Sequence, residues 1–278
     1  MSNKGKNTLL WIIAIVLTVG LVIYQRSTGP TYPVNGSISI GDELIKYKLI
    51  RTFGGDKDAL VEIEIENNEI SGTITQKRFK SYDDWMTTDM VRKNGKLVGT
   101  IPNQPAAGKV EYKIVLRSNG KTYVINEEPV VIRFKGAVPR AILIPHIFFM
   151  FVSLLFALRV GLEIFFRKVD TRYYTGVVAI TLFIGGLILG PIVQKYAFDA
   201  YWTGWPFGHD LTDNKTLFVF IFWVIAWFVL RKKPENKLWP TLAVIAMLLV
   251  YAIPHSVLGS EIDHTKDAKQ TTETTLSE

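Results

Sequence analysis

Apolar residues fall along this chain with two different periods, and the change of period divides it. Five stretches are almost continuously apolar: Leu9–Tyr24, Ala141–Leu158, Tyr173–Val193, Thr216–Leu230 and Leu238–Ile253. A helix crossing about 30 Å of hydrocarbon needs about 20 such residues, so the first, fourth and fifth must borrow flanking residues. Thr212 is the expected N-cap that lengthens the fourth, and Trp239 with Pro240 suits the start of the fifth. Between the first and second stretches the period shortens to two. Apolar and polar residues alternate in Ser37–Ile40, Glu43–Leu49, Leu60–Ile65, Ile70–Ile74, Lys96–Ile101, Val110–Leu116, Lys121–Ile125 and Val130–Phe134, separated by Gly-Gly, Asn-Asn, Asn-Gly and Pro-rich turns. Seven or eight short strands between Thr31 and Phe134 predict an antiparallel β-sandwich.

Charge orients the pattern. Lys4 and Lys6, then Arg167, Lys168 and Arg172, then Arg231, Lys232, Lys233 and Lys237 stand at alternate ends of successive spans. All three clusters are cytoplasmic at once with five spans, the amino terminus inside and the carboxyl terminus outside. The opposite side receives Gln25–Arg140, Gln194–Asn214 and the tail from Pro254, where Asp199, Asp210, Asp213, Glu261, Asp263 and Asp267 offset the lysines. After the first span the chain reads Val22-Ile23-Tyr24-Gln25-Arg26-Ser27, without a small-x-small cleavage pattern, which favours an uncleaved signal anchor over a signal peptide.

The expected fold class is a multi-pass α-helical membrane protein with an extracytoplasmic antiparallel β-sandwich inserted after the first span. Its expected parts are a cytoplasmic start and signal-anchor span over 1–30, the sandwich over 31–138, a four-span membrane domain over 139–255 with a Trp-rich external loop at 195–215, and a polar external tail over 256–278. The expected location is an inner or plasma membrane. The formal charge of +7 comes from cations beside the apolar runs, where lipid head groups account for them without nucleic acid. The absence of cysteine excludes disulfides, thiolate metal sites, CxxCH heme attachment and cysteine nucleophiles.

Two resemblances bear on function. Asn94-Gly95-Lys96-Leu97-Val98-Gly99-Thr100-Ile101-Pro102, followed by Ala106–Ile114, resembles the paired strands of immunoglobulin-like and fibronectin type III-like domains in bacterial envelope proteins. That resemblance implies a fold, and such domains hold partners, so contact with other envelope or membrane-complex proteins is expected. The run Tyr201-Trp202-Thr203-Gly204-Trp205-Pro206-Phe207-Gly208-His209-Asp210, opening into an apolar span, resembles the Trp-rich external loop of the heme-handling membrane proteins of cytochrome c assembly. Phe207 stands where that pattern has a third Trp. The resemblance implies heme as cofactor, with Trp202 and Trp205 flanking the porphyrin, Asp210 ending the loop, and His146 and His255 as the axial pair. His146, His209 and His255 all fall at the outer face under the orientation above, and imidazole suits iron and other transition metals. The same loop has a purely structural reading, with rings at the head-group level, glycines for the turn, and Asp and Thr for the next helix cap.

Inside the spans, Arg159 and Glu163 lie one helical turn apart near Arg167. They read as a pair snorkelling to the interface or as part of a proton or ion path. Gly186-x-x-x-Gly190, beside Gly185, allows another backbone to approach closely. In the sandwich, Asp83-Asp84 beside Trp85 and Met86 reads as the edge of the core or as an exposed binding patch, and Lys77, Arg78 and Lys80 as a solvated strand edge. No G-x-S-x-G, H-E-x-x-H, P-loop or G-x-G-x-x-G motif occurs, so no enzyme is expected. The leading expectation is a cofactor-free accessory, assembly or scaffolding subunit of a membrane complex. A heme- or metal-handling protein and a small transporter or channel are the alternatives.

Overall fold

The computed structural model describes residues 3–167, 170–254, 259 and 261–266; Lys168, His255, Asp267 and the rest of the carboxyl-terminal segment lie outside the described residues. The chain forms two compact units, one from residues 1–30 and 138–259 and the other from residues 31–137 and 260–278.

In the helical unit the apolar stretches become α1 (Asn3–Thr28), α2 (Arg140–Phe166), α3 (Arg172–Leu182), α4 (Gly190–Phe198), α5 (Leu211–Lys232) and α6 (Leu238–Ala252), with a π-helical segment Phe183–Leu189 joining α3 to α4. Asn3–Thr28, Arg140–Phe166, Arg172–Phe198 and Leu211–Lys232 are four helices long and apolar enough to cross a membrane. The fifth expected span, α6, has 15 residues, which at 1.5 Å each reach about 22 Å. The cap of α5 is Asp210 and not Thr212: the Asp210 carboxylate accepts from the N–H groups of Thr212 at 2.8 Å and Asp213 at 3.4 Å. The N-cap of α6 is Lys237, which makes no side-chain cap bond, and Asn236 one residue earlier accepts from Trp239 N–H at 3.1 Å.

Small residues let these helices meet. Ala14 of α1, Ala157 of α2, Ala179 of α3, Ala226 of α5 and Ala243 and Ala246 of α6 are buried together around Trp223. A Cβ on Gly185 would stand 2.9 Å from Phe149 Cβ, and one on Gly186 2.7 Å from Thr216 Cγ2. The close approach expected of Gly186 and Gly190 is therefore made by Gly185 against α2 and Gly186 against α5, because the π turn brings two consecutive glycines to facing helices. At its far end α1 is held by Gln25, whose side chain donates to the carbonyl of Tyr251 at 3.1 Å.

The β-unit holds β1 (Val34–Ile40), β2 (Glu43–Leu49), β3 (Thr52–Gly54), β4 (Ala59–Glu64), β5 (Ser71–Arg78), β6 (Met86–Asp89), β7 (Val91–Lys93), β8 (Lys96–Ile101), β9 (Lys109–Ser118), β10 (Lys121–Val124) and β11 (Val130–Lys135). They form one sheet in the order β1-β2-β4-β8-β7 and a second in the order β3-β11-β9-β5-β6, with β10 also paired to β9. Alternation decides which faces are buried: β4 alternates strictly, with Ala59, Val61 and Ile63 inside. A single buried cluster takes Ile45, Ile63 and Leu97 from the first sheet and Ile74, Tyr112 and Ile132 from the second. Pairing is antiparallel except for β3 and β11, which run parallel in the register Thr52 with Arg133. That parallel pair departs from the wholly antiparallel expectation, because the short β3 joins the edge beside β11 and not beside a sequence neighbour.

Candidate functional site

The tryptophan loop is built from both flanking helices. At the amino end of α5, the Asp213 carboxylate accepts from Thr203 N–H at 2.7 Å and from the Thr203 hydroxyl at 3.3 Å. That hydroxyl accepts in turn from the side chain of Gln194, on α4, at 2.7 Å. The Asn214 side-chain oxygen accepts from Trp205 N–H at 2.6 Å. Within the loop, Gly204 carbonyl accepts from Phe207 and Gly208, and Thr203 carbonyl from Asp210. Gly204 is required by this closeness, since a Cβ there would lie 2.6 Å from Asp213 Cβ. Trp202 donates from Nε1 to Trp205 carbonyl at 3.1 Å, while the rings of Trp205 and Phe207 are 69% and 82% exposed. The loop turns its polar groups inward and its rings outward, at the end of helices apolar enough to span a bilayer.

Of the histidines, His146 on α2 donates from Nδ1 to Gly185 carbonyl at 2.8 Å. The same carbonyl accepts the N–H of Gly190, which closes the π turn. A carbonyl can only accept, so His146 carries its proton on Nδ1 and its lone pair on Nε2. His209 is exposed in the loop, and His255 lies outside the described residues. Among the described residues no three His, Asp or Glu side chains converge as a metal site would need. The structure thus unites Trp202, Trp205, His209 and Asp210 in one loop, and seats His146 against the π segment.

Arg159 and Glu163 form a buried ion pair of 2.5 Å, 0% and 1% exposed, and so do not snorkel. Arg159 Nη2 also donates to the Asn7 side-chain oxygen at 2.6 Å. Arg167 Nη1 reaches the same Asn7 oxygen at 3.1 Å and Glu163 Oε1 at 3.2 Å. The guanidinium carbon of Arg159 lies 5.2 Å from the Trp11 ring and 5.5 Å from the Tyr174 ring. Three helices thereby close on one arginine: Asn7 and Trp11 from α1, Glu163 from α2 with Arg167 at its C-cap, and Tyr174 from α3. Arg159 Nε and Nη1 and Glu163 Oε2 have no hydrogen-bond partner among the described residues. Sequence spacing identified the α2 pair, but it carried no signal for Asn7, 152 positions away.

In the β-unit, Trp85 and Met86 are exposed at the start of edge strand β6 and do not anchor the core edge. Asp83 is gripped by Arg78, Nε to Oδ2 at 2.6 Å and Nη2 to Oδ1 at 2.9 Å. That fork holds its carboxyl down at about 2. The basic edge is paired residue by residue: Lys77 with Glu111, Arg78 with Asp83, and Lys80 with Glu261 of the carboxyl-terminal segment.

Comparison with protein-family models, with curated proteins and with solved structures gives no match.

Proposed function

We propose that this chain is an integral membrane protein of the cell envelope that works without catalysis, as an accessory, assembly or scaffolding subunit of a larger membrane complex. Its β-unit is read as an extracytoplasmic sandwich of the immunoglobulin-like kind that meets partners, a reading supported by the buried cluster shared between strands of both sheets. The observation that carries the proposal is the internal wiring of the tryptophan loop. Gln194, Thr203, Asp213 and Asn214 are engaged in holding the loop itself, and what faces outward is the Trp205 and Phe207 rings together with His209. Such a loop seats a helix end at a head-group boundary. Purification from native-like membranes should give co-purifying subunits and a spectrum without a Soret band.

A second reading, heme or metal handling, is favoured by the tautomer of His146. A ligating histidine donates its other ring N–H to a carbonyl or carboxylate, as His146 does to Gly185. A Soret band lost in His146→Ala would install that reading in place of the first.

The topology of the proposal is tested separately. Single cysteines at Ser71, Ser256 and Lys233 are clean reporters because the chain has none of its own. An impermeant thiol reagent applied to intact cells should label the first two positions and spare the third. Labelling at Lys233→Cys would overturn the orientation drawn from the Lys and Arg clusters.

A further inference from the structure

Two lysines of the β-unit find their acid in the carboxyl-terminal segment and not in the sheets. Glu261 accepts from Lys80 on one carboxylate oxygen and from Lys109 on the other. The backbone fixes this pair of cations. Phe79 N–H donates to Lys109 carbonyl at 2.9 Å, which locks the end of β5 to the start of β9, and Lys80 turns in the left-handed region at φ 48°. Both ammonium groups lie over the Phe79 ring, Lys80 at 5.8 Å and Lys109 at 5.3 Å from its centroid. The outcome is a cradle with an aromatic floor, two cations, and a carboxylate seated between them. Lys109 and Glu261 are only 18% and 24% exposed.

The occupant is a short ordered segment. Asp263 accepts from Thr265 N–H at 3.1 Å and from its hydroxyl at 2.5 Å, which caps one helical turn after Glu261. Burial pushes the Glu261 carboxyl up, but hydrogen bonds from Lys109 and Lys80 outweigh it and hold the group below its usual range. The contact can exchange, because partly exposed ion pairs are individually small and screened by salt.

We propose that the Phe79–Lys80–Lys109 cradle is a docking site for an acidic peptide segment of a partner protein, filled at rest by Glu261 and vacated when the partner displaces it. This rests on the accessory-subunit reading and supplies the chemistry of its partner. A tethered occupant acts as a competitor at millimolar effective concentration, so its removal tightens the site for an added acidic peptide.

The test uses the full chain in lipid nanodiscs and a fluorescein-labelled peptide copying residues 259–266, read by anisotropy. Glu261→Gln should bind the peptide about tenfold more tightly than the parent chain. Adding Lys80→Gln or Lys109→Gln to that variant should weaken binding by about tenfold, as should a peptide with glutamine for its glutamate. Equal affinity in parent and Glu261→Gln, or full binding in the Lys109→Gln variant, would overturn the cradle. Crosslinking in native membranes separates this from the parent reading. Subunits captured equally by the parent and by Lys80→Gln/Lys109→Gln sink the cradle and leave the accessory role standing. Peptide binding with no captured subunit does the reverse.

Discussion

Glu163→Ala is expected to cost the helical unit about 3–5 kcal/mol, because it strands the Arg159 guanidinium in a site with no exposure. Full burial makes the pair asymmetric in its response to mutation. Intact, it repays a desolvation cost through the 2.5 Å contact and the Asn7 hydrogen bond. Halved, it leaves a charge with no exposure whose remaining acceptor among the described residues is the Asn7 oxygen. Arg159→Leu/Glu163→Leu should recover most of the lost stability, since replacing both ions with apolar groups removes the desolvation cost along with the attraction. Resistance to unfolding in mixed lipid and denaturing detergent, read for both variants, is the measurement. A Glu163→Ala protein as resistant as the parent would show that the pair is solvated in the membrane and would remove it as a determinant of helix packing.

The same cluster explains why α1 belongs to the folded helical unit and is not a loose tether. Asn7 and Trp11 complete the surroundings of Arg159, and Gln25 caps carbonyls at the end of α6. Both ends of α1 therefore make polar contacts with other helices of the unit.

Elements with a sustained period were legible in the sequence, and contacts across it were not. The long apolar runs became helices, and strands such as Glu43–Leu49 and Lys96–Ile101 took the expected bounds, because strict alternation over six or seven residues has one face to bury. β3, β6 and β7 were not foreseen. β6 buries none of its four residues and β7 is three residues long, so neither has a period to read. The tryptophan loop was legible as a place and not as a mechanism. Its rings and His209 drew attention, whereas Asp213 and Asn214, which hold it, read as ordinary first-turn residues of the next helix. Glu261 stood in a polar tail with nothing local to link it to Lys80 or Lys109. Its partners follow from topology, which brings the end of β5 beside the start of β9.

Asp213→Ala should disrupt the tryptophan loop far more than His209→Ala. Asp213 is 8% exposed and is the acceptor for Thr203 N–H and hydroxyl. Its loss removes the acceptor of both bonds, at a cost of about 1–3 kcal/mol. Gly204→Ala should act in the same direction, since its new Cβ would fall 2.6 Å from Asp213 Cβ and push the turn away from α5. His209 is exposed in the same loop, and its truncation should stay within about 0.5 kcal/mol. Limited proteolysis between Phe198 and Leu211, with abundance in the membrane, reads all three variants. The ligand reading predicts the opposite order: His209→Ala strips a cofactor at unchanged abundance, while Asp213→Ala matters only through it. Protection lost in Asp213→Ala and Gly204→Ala but kept in His209→Ala would assign the loop to anchoring, since hydrogen bonds from the start of α5 would then be what fixes its rings at the boundary.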